Sequence, residues 1–240
     1  MGMQSVLRAI YPPQCLACGA RVTSDFALCG TCWRDAAFIT GLVCDKCGTP
    51  LPGDEGDRPE FCDDCLTIAR PWERGRAALM YRDTGRRLVL ALKHGDRQDI
   101  AKPAATWMAQ AVRPILLPGM VVAPVPLHWQ RLFRRRYNQA ALLSARVARL
   151  AGLDHCPDLL RRARKTGTQD GRDRDGRFAN VAGAMTVPPG RADRIRGRAV
   201  LLVDDVMTSG ATFSAAAEAC LAAGAGQVFI LSLARVAKDA

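Results

Sequence analysis

The 240-residue sequence is 49% hydrophobic and 24% charged, a balance typical of a folded protein with a sizeable buried core. It contains no run of about eighteen or more apolar residues, which excludes a transmembrane helix, and its first residues lack the apolar segment of a signal peptide. We therefore expect a cytoplasmic protein without membrane insertion. The net charge of +11 favours anionic partners such as phosphates or nucleic acid.

The positive charge is concentrated in two segments. Residues 131–139 contain four arginines, and residues 161–177 contain seven basic residues against three acidic ones. Clustering of this kind favours a binding site for an anion over a uniformly basic surface.

Eight of the ten cysteines lie before residue 66, in four Cys-x-x-Cys pairs. Nothing directs the chain to an oxidising compartment, so disulfides are not favoured, and four successive pairs differ from a thioredoxin-like redox motif. Two pairs together provide the four thiolates of a tetrahedral Zn²⁺ site. We therefore predict two structural zinc ions, bound by Cys15, Cys18, Cys29, Cys32, Cys44, Cys47, Cys62 and Cys65.

The spacing leaves the pairing of these Cys-x-x-Cys knuckles open. Sequential pairing would give a first ribbon at residues 15–32 and a second ribbon at residues 44–65. A cross-braced module would instead pair the first knuckle with the third and the second with the fourth. The short and similar intervals favour sequential ribbons. Sites with four thiolates have no open coordination position, so their zinc stabilises a fold and does not activate water.

The remaining cysteines differ from these eight. Cys220 lies at helical spacing from Phe213 and is expected to be a buried thiol. Cys156 is assigned no role.

From residue 71 onward, strand-like segments alternate with helix-like segments. The predicted elements are a strand at 76–82, helices at 85–95 and 102–112, a strand at 119–127, a helix at 138–152, strands at 183–187 and 198–205, an alanine-rich helix and a strand at 227–234. This alternation predicts a mostly parallel sheet with both faces covered. The predicted fold class is therefore α/β, with a small Cys-rich zinc-ribbon module at 1–70 and a parallel-sheet domain at 71–240.

Asp204 and Asp205 end an apolar strand and are followed by the small-residue turn MTSGAT at 207–212. Ligands of parallel sheets bind at the carboxyl ends of the strands. Backbone N–H groups, hydroxyl groups and the positive end of a helix dipole are typical of an anion cradle, and we expect Gly210 to let the backbone approach the ligand. The pattern therefore suits a ribose 5-phosphate. A Walker B element is excluded because no Walker A sequence occurs, and a strand-end cap would explain only one acid.

The stretch VLLVDDVMTSGAT at 200–212 resembles the phosphoribosyl pyrophosphate (PRPP) motif of type I phosphoribosyltransferases. Together with the four Cys-x-x-Cys pairs and the segments 81–96, 122–140 and 164–185, it makes the chain resemble the ComF family of competence proteins. In that family, a double zinc ribbon precedes a phosphoribosyltransferase-like domain. The resemblance covers nearly the whole chain.

The resemblance implies roles for individual residues. Asp204 and Asp205, the expected catalytic pair, would bind the ribose hydroxyls. The 5-phosphate would bind to Thr208, Ser209, Gly210, Ala211 and Thr212. The pyrophosphate loop and a flexible loop at 166–180 would contribute Arg131, Arg136, Asn138, Gln139, Gln169, Arg177 and Asn180, together with Lys93, whose role does not follow from the sequence. Residues 135–139 read RRYNQ where the family usually has RGFNQ, which adds charge beside the expected pyrophosphate site.

The resemblance leaves two functions open. One is a phosphoribosyltransferase that uses PRPP with Mg²⁺ and an unknown acceptor, linked to DNA uptake. The other is a non-catalytic protein that reuses the same fold to bind single-stranded DNA or DNA-uptake proteins. They differ in whether PRPP is turned over and in whether DNA affinity falls steeply with salt.

Overall fold

A computed structural model describes residues 11–94, 97–127, 137–162 and 183–237. Its strands, in chain order, are β1 (Gly75–Met80), β2 (Val121–Pro124), β3 (Asp154–His155), β4 (Arg161–Arg162), β5 (Met185–Thr186), β6 (Ala199–Met207) and β7 (Gln227–Arg235). Five of them form one sheet in the order β1-β7-β6-β2-β3, and every pairing in it is parallel. β4 and β5 form a separate antiparallel pair. The predicted parallel α/β architecture is confirmed.

The four predicted helices are present and differ from the prediction only at their ends, and three short helices were not predicted. In chain order they are α1 (Gly30–Arg34), α2 (Asp63–Thr67), α3 (Asp83–His94), α4 (Ala101–Val112), α5 (Gln139–Ala151), α6 (Pro189–Ala192) and α7 (Ala211–Ala222). Short 3-10 turns lie at Gln98–Ile100 and Arg113–Ile115. Gly152, the last residue of the predicted helix range 138–152, ends α5 in the left-handed conformation. None of the helices in these ranges has the length and hydropathy that crossing a membrane requires.

Each face of the sheet has its own hydrophobic core. On one face, α3, α4 and α5 pack around Leu201 and Val203 of β6. On the other face, α7 packs around Val200 and Leu202, and cysteines of the second ribbon are buried in the same core. The prediction of a sheet covered on both faces is therefore confirmed. On the second face, however, part of the sheet is covered by the Cys-rich module, where a helix would usually pack.

Strand β1 lies at the edge of the sheet, and the Cys-rich module covers it. Residues 37–39 run antiparallel to β1. The Ile39 N–H donates to the Ala78 carbonyl at 3.0 Å, and the Met80 N–H donates to the Ala37 carbonyl at 3.0 Å. An uncovered edge strand would leave such groups free to pair with another chain. The module thus covers the outer edge of β1. Because the module and the sheet are joined by these hydrogen bonds, the domain boundary at residue 70 stays a prediction.

A cluster of ion pairs holds the second ribbon to the start of β1. Asp45 lies within the third knuckle, and its Oδ1 accepts hydrogen bonds from Arg74 Nη2 at 2.8 Å and Arg76 Nη2 at 2.7 Å. Burial acts to raise the pKa of Asp45, but these hydrogen bonds hold it below its usual range. Gly48 ends the same knuckle at φ 69°, where a Cβ would be 2.8 Å from the Ala77 nitrogen. A glycine is therefore needed for both the turn and the docking.

Replacing Asp45 with Asn should lower the free energy of unfolding by about 1–3 kcal/mol, because two arginines lose a charged acceptor. Urea denaturation followed by circular dichroism measures the change. Asp54→Asn is the matched control, since Asp54 is exposed in the same module. The control should stay within about 0.5 kcal/mol of the wild type. Equal stability of the two variants would contradict the importance of this junction.

Candidate functional site

The eight cysteines of the module form two separate clusters, each with four Sγ atoms within 4.8 Å of one another. One cluster consists of Cys15, Cys18, Cys29 and Cys32, and the other of Cys44, Cys47, Cys62 and Cys65. Neighbouring knuckles therefore pair in sequence. The sequential arrangement is confirmed over the cross-braced one.

The distances between sulfurs fit a tetrahedral zinc ion. With Zn–S bonds of about 2.3 Å, the edges of an ideal tetrahedron are about 3.8 Å long. Cys18 Sγ and Cys29 Sγ are 3.7 Å apart, and Cys47 Sγ and Cys62 Sγ are 3.6 Å apart. Burial acts to raise the pKa of the Cys15 thiol, but hydrogen bonds from Cys29 and other backbone groups lower it to about 6. Each cluster thus offers the donor set of a closed structural site.

Asp204 and Asp205, here called the acid pair, lie at the carboxyl edge of the sheet but inside β6. The sequence predicted that the strand ends at the acids. Instead β6 continues to Met207, which pairs with Arg235 of β7, whereas β2 on the other side ends opposite Val203. The long β7 extends β6 because it supplies hydrogen-bond partners beyond the acids. Because β2 ends before β6 does, the acid pair has no β2 residue opposite it in the sheet.

The two carboxylates have different surroundings. Lys93 Nζ, from the last turn of α3, is 3.1 Å from Asp205 Oδ1, and both side chains are largely buried. Asp204 Oδ1 accepts a hydrogen bond from the Asp205 N–H at 2.8 Å. Burial first, and the charge of Asp205 second, raise the pKa of Asp204 to about 7, although the charges of Lys93 and Arg162 act to lower it. The site therefore combines one ion-paired carboxylate with one that is costly to ionise.

The start of α5 fixes the end of the helix that carries Lys93. Tyr137 Oη donates to the Leu92 carbonyl at 2.6 Å, and Gln139 Nε2 reaches the same carbonyl at 3.5 Å. The sequence did not reveal the role of Lys93, although its place in the last turn of the helix after β1 is a usable signal. A parallel sheet brings that turn to the edge where the acid pair lies.

Asn138 has a structural role at the start of α5. Its Oδ1 accepts a hydrogen bond from the Ala140 N–H at 3.0 Å and so caps α5, while its Nδ2 donates to the Val125 carbonyl at 3.3 Å. The expected contacts of Asn138 and Gln139 with pyrophosphate stay predictions. The other residues expected in the two basic loops lie outside the described residues: Arg131, Arg136, Gln169, Arg177 and Asn180.

Residues 207–212, here called the phosphate loop, connect β6 to α7. Gly210 has φ 85° and precedes the helix, and Ser209 Oγ accepts a hydrogen bond from the Ala211 N–H at 3.4 Å. Within the described ranges, the N–H groups of Ser209 and Gly210 have no hydrogen-bond partner. Unpaired N–H groups beside a helix N-terminus suit an anion. Thr208 and Thr212 are half-buried in the same loop.

Gly210 packs closely against the protein interior. A Cβ at this position would be 2.9 Å from Arg70 Nη1 and 3.1 Å from Trp72 Cη2. The space on this side of the glycine is filled by the segment that joins the module to β1. The approach of a ligand to the backbone of Gly210 stays a prediction.

The family described as Double zinc ribbon domain matches residues 6–66. The chain is 30% identical over 220 residues to "DNA utilization protein YhgH" of Salmonella typhi, covering 88% of this chain and 92% of the relative. It is 26% identical over 229 residues to "Competence protein F" of Haemophilus influenzae, covering 92% of this chain and 96% of the relative. The solved glutamine PRPP amidotransferase from B. subtilis is similar at a TM-score of 0.41 and 16% identity, over 60% of this chain and 30% of its own length.

The similarity to the solved structure, at a TM-score of 0.41, does not support any function. The relatives, which align with most of the chain, support a family assignment. The zinc-ribbon match covers the module alone, whereas the alignments with the relatives cover 88% and 92% of the chain and so reach far beyond the module. The chain therefore belongs to the ComF family, together with YhgH and competence protein F.

Proposed function

We propose that the carboxyl edge of the sheet binds PRPP or a related ribose 5-phosphate, and that the protein is a phosphoribosyltransferase with an unidentified acceptor. The observation that carries this proposal is the closeness of the acid pair to a loop with unpaired N–H groups. Carboxylates accept hydrogen bonds from vicinal ribose hydroxyls, and the loop at the start of α7 suits the 5-phosphate. The resemblance of residues 200–212 to the PRPP motif supports the same ligand.

In phosphoribosyl transfer, pyrophosphate leaves C1 of the ribose while positive charge develops there. Asp204 and Asp205 would hold the ribose by its hydroxyls and place negative charge near that centre. Lys93 would keep the Asp205 carboxylate oriented through their ion pair. Mg²⁺ supplies charge neutralisation at the pyrophosphate when it is bound. In the described part of the chain, no third acidic, His or Cys ligand joins the acid pair, so the described residues would offer this ion two carboxylates at most.

A second candidate is the binding of single-stranded DNA without transfer. The relatives are named for DNA utilization and for competence, and a net charge of +11 suits a polyanion. A link to DNA uptake is compatible with either candidate. The two arginine-rich segments that would contact DNA lie largely outside the described residues.

Calorimetric titration of PRPP and Mg²⁺ into the zinc-loaded protein tests the first candidate. We expect micromolar binding by the wild type and affinity reduced about tenfold or more in Asp204→Asn/Asp205→Asn, because the ribose hydroxyls lose ionised acceptors. Asp193→Asn is the matched control, since Asp193 is an exposed acid whose partner is Arg196.

Absence of binding to the wild type would contradict the proposal and favour the second candidate. Fluorescence anisotropy with a labelled single strand would then be measured at low and high salt. A steep fall in DNA affinity with salt would indicate phosphate contacts.

The titration of Asp204, taken by itself, should lower the stability of the protein as the pH rises from about 4 to about 7. The pKa of Asp204 is raised from 3.8 to about 7, so the folded protein holds a proton in this range that the unfolded chain has released. Asp204→Asn removes the titration and keeps an oxygen for the Asp205 N–H. At about pH 8 the variant should exceed the wild type in unfolding free energy by up to about 4 kcal/mol, with little difference at about pH 4. Urea denaturation at several pH values in this range measures the unfolding free energies of both proteins. A difference between them that does not change with pH would contradict the raised pKa of Asp204.

We also propose that each cysteine cluster holds one zinc ion. Elemental analysis of the purified protein should find two zinc ions per chain, matching the two clusters. Cys62→Ala should lower this to about one and destabilise the fold, because three remaining thiolates bind zinc less tightly. Cys220→Ala should retain both ions, since Cys220 is a buried residue of α7 and belongs to neither cluster. Full zinc retention by Cys62→Ala would count against the assignment.

A further inference from the structure

Two buried arginines lie beneath the phosphate loop. Arg70 is 9% exposed and Arg235 is 3% exposed, and neither is paired with a carboxylate among the residues the structure describes. Arg70 Nη1 donates to the Ser209 carbonyl at 2.8 Å. Arg235 Nη1 donates to the Thr208 carbonyl at 2.6 Å. In place of a carboxylate, Arg235 interacts electrostatically with the Cys47 thiolate of the second cysteine cluster. A buried cation needs a polar or charged partner, and for Arg70 that partner is the loop carbonyl.

The two hydrogen bonds determine which way the loop peptides face. In a planar trans peptide, the carbonyl of one residue and the N–H of the next point in opposite directions. Holding the Thr208 and Ser209 carbonyls inward therefore turns the N–H groups of Ser209 and Gly210 outward. These are the same two N–H groups that have no partner in the described ranges.

Arg70 belongs to the segment that leaves the second ribbon. Its guanidinium lies over the ring of Trp72, 5.4 Å from the centroid. Trp72 Nε1 donates to the Lys46 carbonyl at 2.6 Å, and Lys46 Nζ donates to the Trp72 carbonyl at 2.7 Å. Lys46 lies between the cysteines of the third knuckle. A continuous chain of contacts thus runs from the second cysteine cluster to the phosphate loop.

We propose that Arg70 and Arg235 are positioning residues for the phosphate loop, and that the second ribbon is therefore part of the ligand site. This inference rests on the proposed function of the loop. The two guanidinium groups hold two carbonyls inward and present two N–H groups to a phosphate. They also place positive charge beneath the anion, in an environment with little water to screen it.

Arg70→Met tests this role, because it removes the guanidinium and keeps a long side chain over Trp72. Arg74→Met is the matched control. Arg74 also joins the second ribbon to β1, but it bonds to Asp45 and the Pro114 carbonyl instead of the loop. Arg70→Lys keeps the charge and one donor, and it provides a second variant if Arg70→Met does not fold.

The first measurement is made without ligand. Backbone ¹⁵N relaxation should give order parameters for Ser209 and Gly210 of about 0.85 in the wild type and in Arg74→Met. In Arg70→Met they should fall to about 0.6 or below, with an intermediate value in Arg70→Lys. A loop that stays ordered in Arg70→Met would overturn the inference, whatever the wild type binds.

The second measurement is calorimetric titration of PRPP and of ribose 5-phosphate. Arg70→Met should bind both about tenfold more weakly than the wild type, by the same factor, because both carry the 5-phosphate. Arg70→Lys should recover part of the affinity, and Arg74→Met should bind like the wild type. Equal binding by Arg70→Met and the wild type would overturn the inference. If the wild type binds neither ligand while the loop loosens in Arg70→Met, the proposed function fails and the positioning of the loop by Arg70 stands.

Discussion

The outer edge of strand β1 needs hydrogen-bond partners, and the position of the Cys-rich module follows from this need. Residues 37–39 pair with the edge, so the first ribbon falls on the face of α3, α4 and α5 and the second ribbon on the face of α7. Too little apolar surface lies within the module for it to fold on its own core. Its stability would come from metal and from docking, through contacts such as those of Asp45 with Arg74 and Arg76.

The candidate site depends on unequal strand lengths at the carboxyl edge of the sheet. β6 continues along β7 after β2 has ended, which leaves the acid pair in a half-buried step. Asp205 is stabilised there by Lys93, while the raised pKa of Asp204 reflects its burial beside a second carboxylate. A ligand that donates hydrogen bonds to Asp204 would offset the cost of ionising it. Under the proposed function, the vicinal hydroxyl groups of a ribose would donate these hydrogen bonds.

The phosphate loop connects the acid pair at the edge of the sheet to the segment that leaves the Cys-rich module. Its carbonyls are held from below by Arg70 and Arg235, which leaves the outward N–H groups available to an anion. Trp72 fills the space beside Gly210 and ties Arg70 to the second ribbon. Under these proposals, zinc bound in the second ribbon would act on the ligand site indirectly, by stabilising the segment that supports the loop. This would be a physical reason for one chain to combine a zinc ribbon with such a sheet.

The features that could be predicted from the sequence depend on neighbours along the chain. They are the Cys-x-x-Cys knuckles, the apolar strand before the acid pair and the helix at 138–152, because spacing and periodicity are local properties. Tertiary structure decided the extension of β6, the ion pair of Lys93 with Asp205 and the packing reason for Gly210. Arg70 and Ser209 are separated by 139 positions along the chain, and no periodic pattern relates them. Contacts of this kind are set by strand order and burial, which bring distant segments together after the local elements have formed.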